Sequence, residues 1–280
     1  YSLKAANADD AAAFTVNTST GAVTLTGNPD HETQSSYSFT VVATDAAGNA
    51  SEQAVSLTIN DLDEVAPTFT SGVTATAIAE NSGASQVVYT ATSTDAGDIV
   101  TGTTSYGLKS GTDAARFSIN TATGAVTLTG NPDYETKSSY SFTVVAADAA
   151  GNAVEQTVAL SVTNRDEASP VISSGGTASV NENVSAGTVV YTAVSADTLD
   201  YVSGSTSYSL SGTDAAAFTV HASSGVVSIN AIPDHETKAS YSFTVVATDA
   251  AGNASEQAVS LTINDLDEVA PTITSGATAT

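Results

Sequence analysis

A five-residue block returns in this chain at a spacing close to 100 residues, and this spacing constrains the fold more than any other feature. The block reads Asn-Pro-Asp-His-Glu at residues 28–32, Asn-Pro-Asp-Tyr-Glu at 131–135 and Ile-Pro-Asp-His-Glu at 232–236. Its proline recurs after 103 and then 101 residues, at Pro29, Pro132 and Pro233. Solenoid repeats are about 20–50 residues long, whereas about 100 residues suit one compact domain. The sequence therefore predicts tandem copies of one small domain.

The pattern inside one repeat, clearest between residues 66 and 163, predicts short strands and turns throughout. Strands are expected at residues 68–79, 86–93, 103–108, 117–120, 125–129, 139–147 and 157–163. Alternation of apolar and polar residues places Val87, Tyr89 and Ala91 on one face of their strand. In the two last strands it predicts these inward side chains: Tyr140, Phe142, Val144, Val158, Leu160 and Val162. Seven short strands without a helical stretch predict an all-β fold, an antiparallel seven-strand β-sandwich.

The repeat sets the expected domain boundaries. Residues 1–65 are an incomplete repeat that lacks its first two strands, because the opening Tyr-Ser-Leu-Lys matches residues 106–109 of the next copy. Residues 66–168 and 169–269 are complete repeats, and 270–280 correspond to the first strand of a following one. With no initiator Met and no signal peptide, the sequence is expected to be an interior piece of a longer protein.

Composition excludes several classes of function. The chain has 30 acidic and 6 basic residues, for a net charge of -24, which disfavours nucleic acid and anionic membranes as partners. It has no Cys, so a disulfide framework and thiol chemistry are excluded. No apolar run approaches the ~20 residues of a membrane helix. No glycine-flanked nucleophile elbow surrounds a Ser, and no enzyme is expected.

The acidic residues return at fixed positions of the repeat. A Glu follows the first strand, an Asp-x-x-Asp follows the second, and an Asp closes the long alternating strand. An acidic linker ends each copy, at residues 60–67, 163–170 and 264–271. Because the loops of a sandwich gather at its two ends, acids of one repeat, its linker and the next repeat are expected to meet. Oxygen ligands in that number suit Ca²⁺, which takes about 6–8 of them.

Four motifs in a fixed order resemble the cadherin repeat. They are Phe117-x-Ile119-Asn120-x-x-Thr123-Gly124, then Asp133-Tyr134-Glu135, then Val144-x-Ala146-x-Asp148, then a linker that ends at Pro170. The resemblance extends over the whole chain. It implies seven-strand Greek-key sandwiches joined end to end, with calcium held between consecutive domains.

The resemblance also implies a set of metal ligands at each linker. For the first linker these are Asp30, Glu32, Asp61, Asp63, Glu64, Asp95, Asp98 and Asp148, with the backbone carbonyls of Leu62 and Val65. For the second linker they are Glu80, Asp133, Glu135, Asp166, Glu167, Asp197, Asp200 and Asp249. For the third linker, where only the lower half is present, they are Glu182, Asp234, Glu236, Asp265, Asp267 and Glu268.

The linkers depart from the Asp-x-Asn-Asp-Asn pattern of the family. The first reads Asp-Leu-Asp-Glu-Val, so the longer Glu64 stands where an Asp is usual. In the second, Asn164 replaces the Asp61 of the first and Arg165 adds a positive charge, so weaker calcium binding or fewer ions are expected there. The residue between the two acids of each five-residue block is expected to point away from the metal: His31, Tyr134 and His235.

Together these features predict a calcium-rigidified extender of a large secreted bacterial surface adhesin of the calcium-dependent RTX type, located outside the cell. The lack of Cys, the few Lys and the near-identical units resemble such adhesins more than animal cadherins. The expected partners are calcium ions and neighbouring repeats of the same chain, without nucleic acid or membrane insertion. Two alternatives stay open, a direct cell-adhesion or carbohydrate-binding module and a spacer on a secreted hydrolase. Residues 271–280 could also add as a strand to the first repeat of another copy.

Overall fold

The computed structural model describes residues 1–4, 9–97, 102–111, 113–197 and 204–276. The chain divides into two compact units, Tyr1–Thr163 and Asn164–Thr280. The first unit contains the first and second repeats up to the end of the last strand of the second, and the second unit contains the third repeat. The individual repeat boundaries at residues 65/66, 168/169 and 269/270 stay predictions.

The described part of residues 1–65, in the first unit, consists of strands and one 3₁₀ turn, Ala11–Ala13. The strands are β1 (Ser2–Leu3), β2 (Phe14–Val16), β3 (Val23–Leu25), β4 (Ser36–Thr44) and β5 (Ala50–Thr58). β1, β4 and β5 form one antiparallel sheet, and β2 pairs with β3. That residues 1–65 are an incomplete repeat stays a prediction.

The second repeat, also in the first unit, contains the full set of predicted strands and a 3₁₀ turn at Ala114–Arg116. The strands are β6 (Thr68–Phe69), β7 (Ile78–Ala79), β8 (Gln86–Thr90), β9 (Ser93–Thr94), β10 (Ser105–Lys109), β11 (Phe117–Ile119), β12 (Ala125–Leu128), β13 (Ser139–Ala147) and β14 (Ala153–Thr163). One sheet has the order β10-β13-β14-β7, with β7 parallel to β14, and the other has the order β11-β12-β8. The first predicted strand is split into β6 and β7, and the second is split into β8 and β9. The nine segments therefore correspond to the seven predicted strands of the sandwich.

The two sheets of the second repeat face each other across one core. The ring of Phe117 on β11 lies 4.5 Å from that of Phe142 on β13, centroid to centroid, and Tyr89 on β8 meets Phe142 edge-on at 6.0 Å. Val144, Val158 and Leu160 are at most 1% exposed. Alternate residues of β13 and β14 thus point inward as predicted, and the all-β sandwich is confirmed.

The prediction that Val87 shares one face of its strand with Tyr89 and Ala91 is wrong. Val87 is 62% exposed, whereas Val88 and Tyr89 are 4% and 8% exposed. The pairing of β8 with β12 shifts register, so that Val88 has no partner opposite it. A bulge of this kind turns two consecutive side chains toward the same face, and the simple alternation fails there.

The second unit contains the third repeat, which has the same topology and a 3₁₀ turn at Ala215–Ala217. Its strands are β15 (Val171–Ile172), β16 (Thr177–Asn181), β17 (Val189–Thr192), β18 (Ser195–Ala196), β19 (Ser207–Ser211), β20 (Phe218–Val220), β21 (Val226–Ile229), β22 (Ser240–Thr248) and β23 (Ala254–Asn264). The sheets have the orders β16-β23-β22-β19 and β17-β21-β20, and β15 pairs with β18. Residues 270–276 contain no strand, so the opening strand of a following repeat stays a prediction.

The first repeat has a more open core than the two complete ones. Leu57 on β5 is 36% exposed, whereas the matching Leu160 on β14 and Leu261 on β23 are 1% and 0% exposed. In the second repeat the side chains of β8 belong to the core cluster, and the described part of residues 1–65 has no strand that corresponds to β8. Within the described residues, the structure contains no helix that is long and apolar enough to span a membrane.

Candidate metal centre

Three carboxylates from separate segments of the first unit meet at the first linker, and we call them the upper cluster: Asp63, Asp95 and Asp148. One oxygen of each lies within 4.8 Å of the others. Asp63 belongs to the linker, whereas Asp95 follows β9 and Asp148 follows β13. Two unit negative charges at this distance repel by about 1 kcal/mol in water and about 3 kcal/mol at an effective dielectric of about 20. The upper cluster is therefore suited to a cation.

A short turn after β13 orients Asp148. Its Oδ1 accepts hydrogen bonds from the backbone amides of Gly151 and Asn152 at 2.7 and 2.9 Å, and its Oδ2 accepts one from the Asn152 side chain at 2.9 Å. Burial acts to raise the pKa of Asp148, but these hydrogen bonds outweigh it and leave the pKa lowered. Asp148 is thus held ionised and in place.

Asn152 is a residue that the sequence reasoning missed. Its side-chain amide also donates a 2.8 Å hydrogen bond to the backbone carbonyl of Asp63, which ties the linker to the second repeat. A signal was present, since Asp-Ala-Ala-Gly-Asn recurs at residues 45–49, 148–152 and 249–253. The Asn of this motif returns with the Asp that was identified as a ligand.

A second group at the first linker combines one imidazole with two carboxylates, and we call it the lower cluster: His31, Glu32 and Asp61. Nδ1 of His31 lies 3.3 Å from Oδ2 of Asp61 and 3.5 Å from Oε1 of Glu32. The prediction that His31 points away from the ligand set is wrong, because its ring faces both carboxylates. Oδ1 of Asp61 is buried and has no hydrogen-bond partner among the described residues.

The Asp of each five-residue block accepts hydrogen bonds from within its own turn. Asp30 accepts hydrogen bonds from the backbone amide and the hydroxyl of Thr33, at 3.1 and 2.9 Å. The Thr33 hydroxyl and then its amide are the main causes that lower the pKa of Asp30. Asp133 accepts the backbone amide of Thr136 at 2.8 Å, and Asp234 accepts both the amide and the hydroxyl of Thr237, at 3.2 and 2.9 Å. These Asp side chains hold the block in shape, and a role as metal ligands stays a prediction for them.

The Glu that follows the first strand is fully buried in both complete repeats. In the first unit Glu80 is 0% exposed and accepts the backbone amide of Tyr134 at 2.7 Å. In the second unit Glu182 is 1% exposed and accepts the amides of Leu266 at 2.6 Å and His235 at 2.8 Å. The Leu266 amide and then the His235 amide lower the pKa of Glu182. This carboxylate therefore connects the third linker to the block at residues 232–236.

The second unit repeats the lower cluster at the third linker. Ligand atoms of His235, Glu236 and Asp265 lie within 4.8 Å of one another, so the prediction for His235 is wrong in the same way. A hydrogen bond from its own backbone amide acts to lower the pKa of Glu236, but burial and the charges of Glu182, Asp265 and Glu268 outweigh it and raise the pKa. Crowding of negative charge at this end is the physical cause.

Two further predicted ligands at the third linker accept hydrogen bonds within the second unit. The side-chain amide of Asn183 donates to Glu268, and the backbone amide of Val269 donates to Asp267 at 3.2 Å. Both carboxylates are therefore oriented by the protein itself.

The second unit also repeats the upper cluster. Oxygens of Asp166, Asp197 and Asp249 lie within 4.8 Å of one another. Asn253 donates to the backbone carbonyl of Asp166 at 3.0 Å and to the side chain of Asp249 at 2.9 Å. The arrangement around Asp63 is thus found twice in the chain.

Other predicted ligands lie outside the described residues or at exposed positions. Asp98 and Asp200 lie outside the described residues. Glu64 of the first linker is exposed, as are Glu135 and Glu167. The set predicted for the second linker is divided between the two units, and its assembly stays a prediction. The position of Tyr134 relative to a metal stays a prediction as well.

The first linker fits a hard divalent cation. Its upper and lower clusters supply five carboxylates within the first unit, and Ca²⁺ binds about 6–8 oxygens from carboxylates, carbonyls and water. A buried oxygen without a hydrogen bond costs about 1–3 kcal/mol, and a bound cation would satisfy Oδ1 of Asp61. The donor set and this oxygen both agree with a calcium site.

Comparison with known proteins identifies the family to which these repeats are similar. The family model of the cadherin domain matches residues 1–60, 74–163 and 176–264. Mouse protocadherin Fat 4 is 32% identical over 166 residues, which is 58% of this chain and 3% of that protein. Human cadherin-23 is 32% identical over 191 residues, which is 66% of this chain and 6% of that protein. The chain thus spans only a small part of the length of these relatives.

Solved structures show the same fold. Mouse cadherin-23 EC22-24 matches with a TM-score of 0.56 at 27% identity, over 88% of this chain and 80% of that chain. Mouse protocadherin-24 EC1-3 matches with a TM-score of 0.58 at 22% identity, over 94% and 89% of the two chains. Fold and site together define an all-β protein of tandem sandwiches with carboxylates collected at its linkers. The chain belongs to the cadherin domain family.

Proposed function

We propose that this chain is a calcium-rigidified spacer of an extracellular adhesin, with Ca²⁺ at the first linker. One observation carries the proposal. Two acidic residues of the first linker, separated by a single residue, contact different repeats. Asp61 lies close to Glu32 of the first repeat, whereas Asp63 lies close to Asp95 and Asp148 of the second. Ions bound to both clusters would connect the two repeats through the linker. Cadherin domains typically bind Ca²⁺ at such junctions.

Electrostatics explains how calcium would act. Without it, the carboxylates of the upper cluster repel one another, and the linker gains freedom as they separate. With it, ligands from the linker and the second repeat share one ion and the linker becomes ordered. A ligand that binds only the folded form also stabilises that form by RT ln(1 + [L]/Kd). The result is a stiffer and more stable chain.

The distribution of aromatic side chains favours a spacer over a direct binding module. Among the described residues, Tyr1 is the only Tyr or Phe that is counted as exposed. The other described rings are buried or half-buried in the sandwiches, and aromatic anchors are the usual centres of binding surfaces.

The proposed location is outside the cell, as for the cadherin homologues. The bacterial adhesin is supported by sequence features alone: no Cys, 6 basic residues in 280, and near-identical units. In calcium-rich surroundings the sites would be filled, and the array would project a distal binding region away from the surface.

Distance measurement between spin labels tests the proposal in the full chain. The chain has no Cys, so Ser56→Cys on β5 and Ser161→Cys on β14, both exposed, accept labels at these two positions only. We expect the distance distribution between the first and second repeats to be narrow with calcium and broad with a chelator. Equal widths under both conditions would contradict the proposal.

A matched variant separates the site from general effects of calcium. Asp63→Asn with Asp148→Asn removes two charges of the upper cluster and keeps the side-chain shapes. In this variant the labels are expected to give a broad distribution even with calcium. Asp45→Asn is the control, since Asp45 closes the same turn in the first repeat and belongs to neither cluster of the first linker.

A further inference from the structure

We propose that the lower cluster of His31, Glu32 and Asp61 is a site for Zn²⁺ or a chemically similar transition metal. This inference is connected to the proposed calcium site in one respect, because the zinc site and the calcium site would share Glu32 and Asp61. Calcium prefers oxygen ligands, whereas an imidazole nitrogen together with carboxylate oxygens suits zinc. His31 therefore gives this cluster a chemistry that the upper cluster lacks.

The distances at His31 fit a tetrahedral ion. Zinc binds nitrogen and oxygen at about 2.0–2.2 Å, so two ligands at a tetrahedral angle lie about 3.4 Å apart. Nδ1 of His31 lies 3.3 Å from Asp61 and 3.5 Å from Glu32, which is longer than the ~2.9 Å of a good hydrogen bond. Three protein ligands leave the fourth position to water, as in open zinc sites.

The same trio recurs in the second unit. Nδ1 of His235 lies 3.7 Å from Oε1 of Glu236 and 3.9 Å from Oδ2 of Asp265. These separations are wider than in the first unit, so the zinc site at His235 is expected to be the weaker of the two. The half-exposed imidazoles, each with 31% of the side chain exposed, leave a path for the ion from solvent.

The second repeat provides a natural counterpart without the trio. Tyr134 stands at the position of His31, and Asn164 stands at the position of Asp61. Both the nitrogen ligand and one carboxylate are thus replaced in one copy. Substitutions that copy these residues are accepted at the same place in the same fold, and they make matched variants for a test.

Sharing of ligands leads to competition. An ion held by His31 would occupy oxygens of Glu32 and Asp61 that calcium needs at the first linker. Zinc is therefore expected to lower the apparent calcium affinity there, and calcium is expected to lower the apparent zinc affinity by the same factor, because linkage is reciprocal.

Nuclear magnetic resonance of the imidazole rings tests the proposal directly. The chain has 3 His, and the third, His221, accepts the backbone amide of Ser224 in a hairpin turn and serves as an internal control. Zinc chloride alone is titrated into the full, calcium-free chain. We expect saturable shifts of the His31 and His235 ring signals, with His31 saturating first, and an unchanged His221 signal. No shift, or equal shifts of all three, overturns the proposal.

Calorimetry with matched variants gives the second readout. The His31→Tyr and His235→Tyr double variant, which copies Tyr134, is expected to bind zinc at least about tenfold more weakly, the lower end of what loss of a supporting group costs a metal site. His221→Tyr is expected to bind zinc as the parent does. Asp61→Asn, which copies Asn164, is expected to weaken zinc binding at His31 and leave His235 unaffected. Zinc binding by the double variant with the affinity of the parent overturns the proposal.

Failure of this inference can be told apart from failure of the calcium proposal. The parent chain is titrated with calcium chloride in the absence of zinc, and the response of its His31 and His235 signals to zinc is measured in a separate calcium-free sample. Normal calcium binding without a response of the His signals to zinc would refute the zinc site alone. Absence of calcium binding with a normal response to zinc would refute the calcium site alone.

Discussion

The side-chain amide of Asn152 donates a 2.8 Å hydrogen bond to the backbone carbonyl oxygen of Asp63, a residue 89 positions earlier in the chain. The same amide group bonds the carboxylate of Asp148 at 2.9 Å. One side chain therefore fixes the linker backbone and a carboxylate of the upper cluster relative to each other. The second unit repeats this arrangement with Asn253, Asp166 and Asp249.

Asn152→Ala is expected to weaken calcium binding at the first linker. The variant removes two hydrogen bonds of roughly 0.5–1.5 kcal/mol each that hold the ligands in place before the ion arrives. We expect about a tenfold loss of calcium affinity, which corresponds to about 1.4 kcal/mol, measured by calorimetry. Asn49→Ala is the control, since Asn49 makes the same bonds within its turn to Asp45. An equal loss in both variants would show that the contact with Asp63 is unimportant.

Asp113→Asn is expected to destabilise the second repeat at pH 7 by about 1–2 kcal/mol, since bonds to charged groups contribute about 1.5–3 kcal/mol and Asn keeps part of them. Asp113 is 8% exposed, accepts the Ser141 amide at 2.9 Å and pairs with Lys137 at 2.9 Å. Burial acts to raise the pKa of Asp113, but the Ser141 amide and the charges of Lys137 and Arg116 lower it overall. Urea unfolding measures the difference.

The pH dependence of this difference has a definite sign. A carboxyl whose pKa is lowered in the folded state stabilises that state above the pKa of the unfolded chain, about 3.9 for Asp. The contribution is lost as pH falls through the lower, folded-state pKa. The parent and Asp113→Asn are therefore expected to differ at pH 7 and to converge below about pH 4. Glu155→Gln, which removes only an exposed pair with Lys109, is the control and is expected to cost less than about 1 kcal/mol.

Glu182→Gln is expected to release the third linker from the third repeat. Glu182 accepts the amides of both Leu266 and His235, whereas a Gln side chain has only one acceptor oxygen and turns an NH₂ donor toward the other amide. We expect hydrogen exchange at Leu266 or His235 to accelerate about tenfold or more without calcium, since a bond to a charged group contributes about 1.5–3 kcal/mol. Glu256→Gln, at an exposed position of β23, should leave these rates unchanged. Slow exchange in both variants would mean that other contacts hold the linker.

Much of the fold follows from the sequence because one face of each long strand must be buried. Alternation identified Val144, Val158 and Leu160, which are at most 1% exposed. It failed at Val87, since a bulge depends on how two strands pair and leaves no mark on the alternation of one strand. The pattern within one strand thus predicts which side chains are buried, except where the register between two strands determines their direction.

The carboxylates of the site could be predicted from the sequence, whereas the residues that orient them were harder to predict. Asp63 and Asp148 were found because acids return at fixed positions of the repeat. The predicted direction of the His31 side chain was wrong, since one carboxylate that the ring faces, Asp61, comes 30 residues later in the chain. The role of Asp113 was not predicted, because the residues that it binds, Lys137 and Ser141, come from a strand distant in sequence and from the segment before it.

Leu160→Ala and Leu57→Ala, two truncations at the same position of β14 and β5, are expected to differ strongly in their cost. Leu160 is 1% exposed, so its truncation leaves a cavity and is expected to destabilise the second repeat by about 2–5 kcal/mol. Leu57 is 36% exposed, and its surroundings can relax or admit water, so less than about 2 kcal/mol is expected for the first repeat. Leu261→Ala, at 0% exposure in the third repeat, is the matched control and should behave like Leu160→Ala. Urea unfolding of the three variants measures these costs, and an equal cost at Leu57 and Leu160 would mean that the first repeat closes its core by another contact.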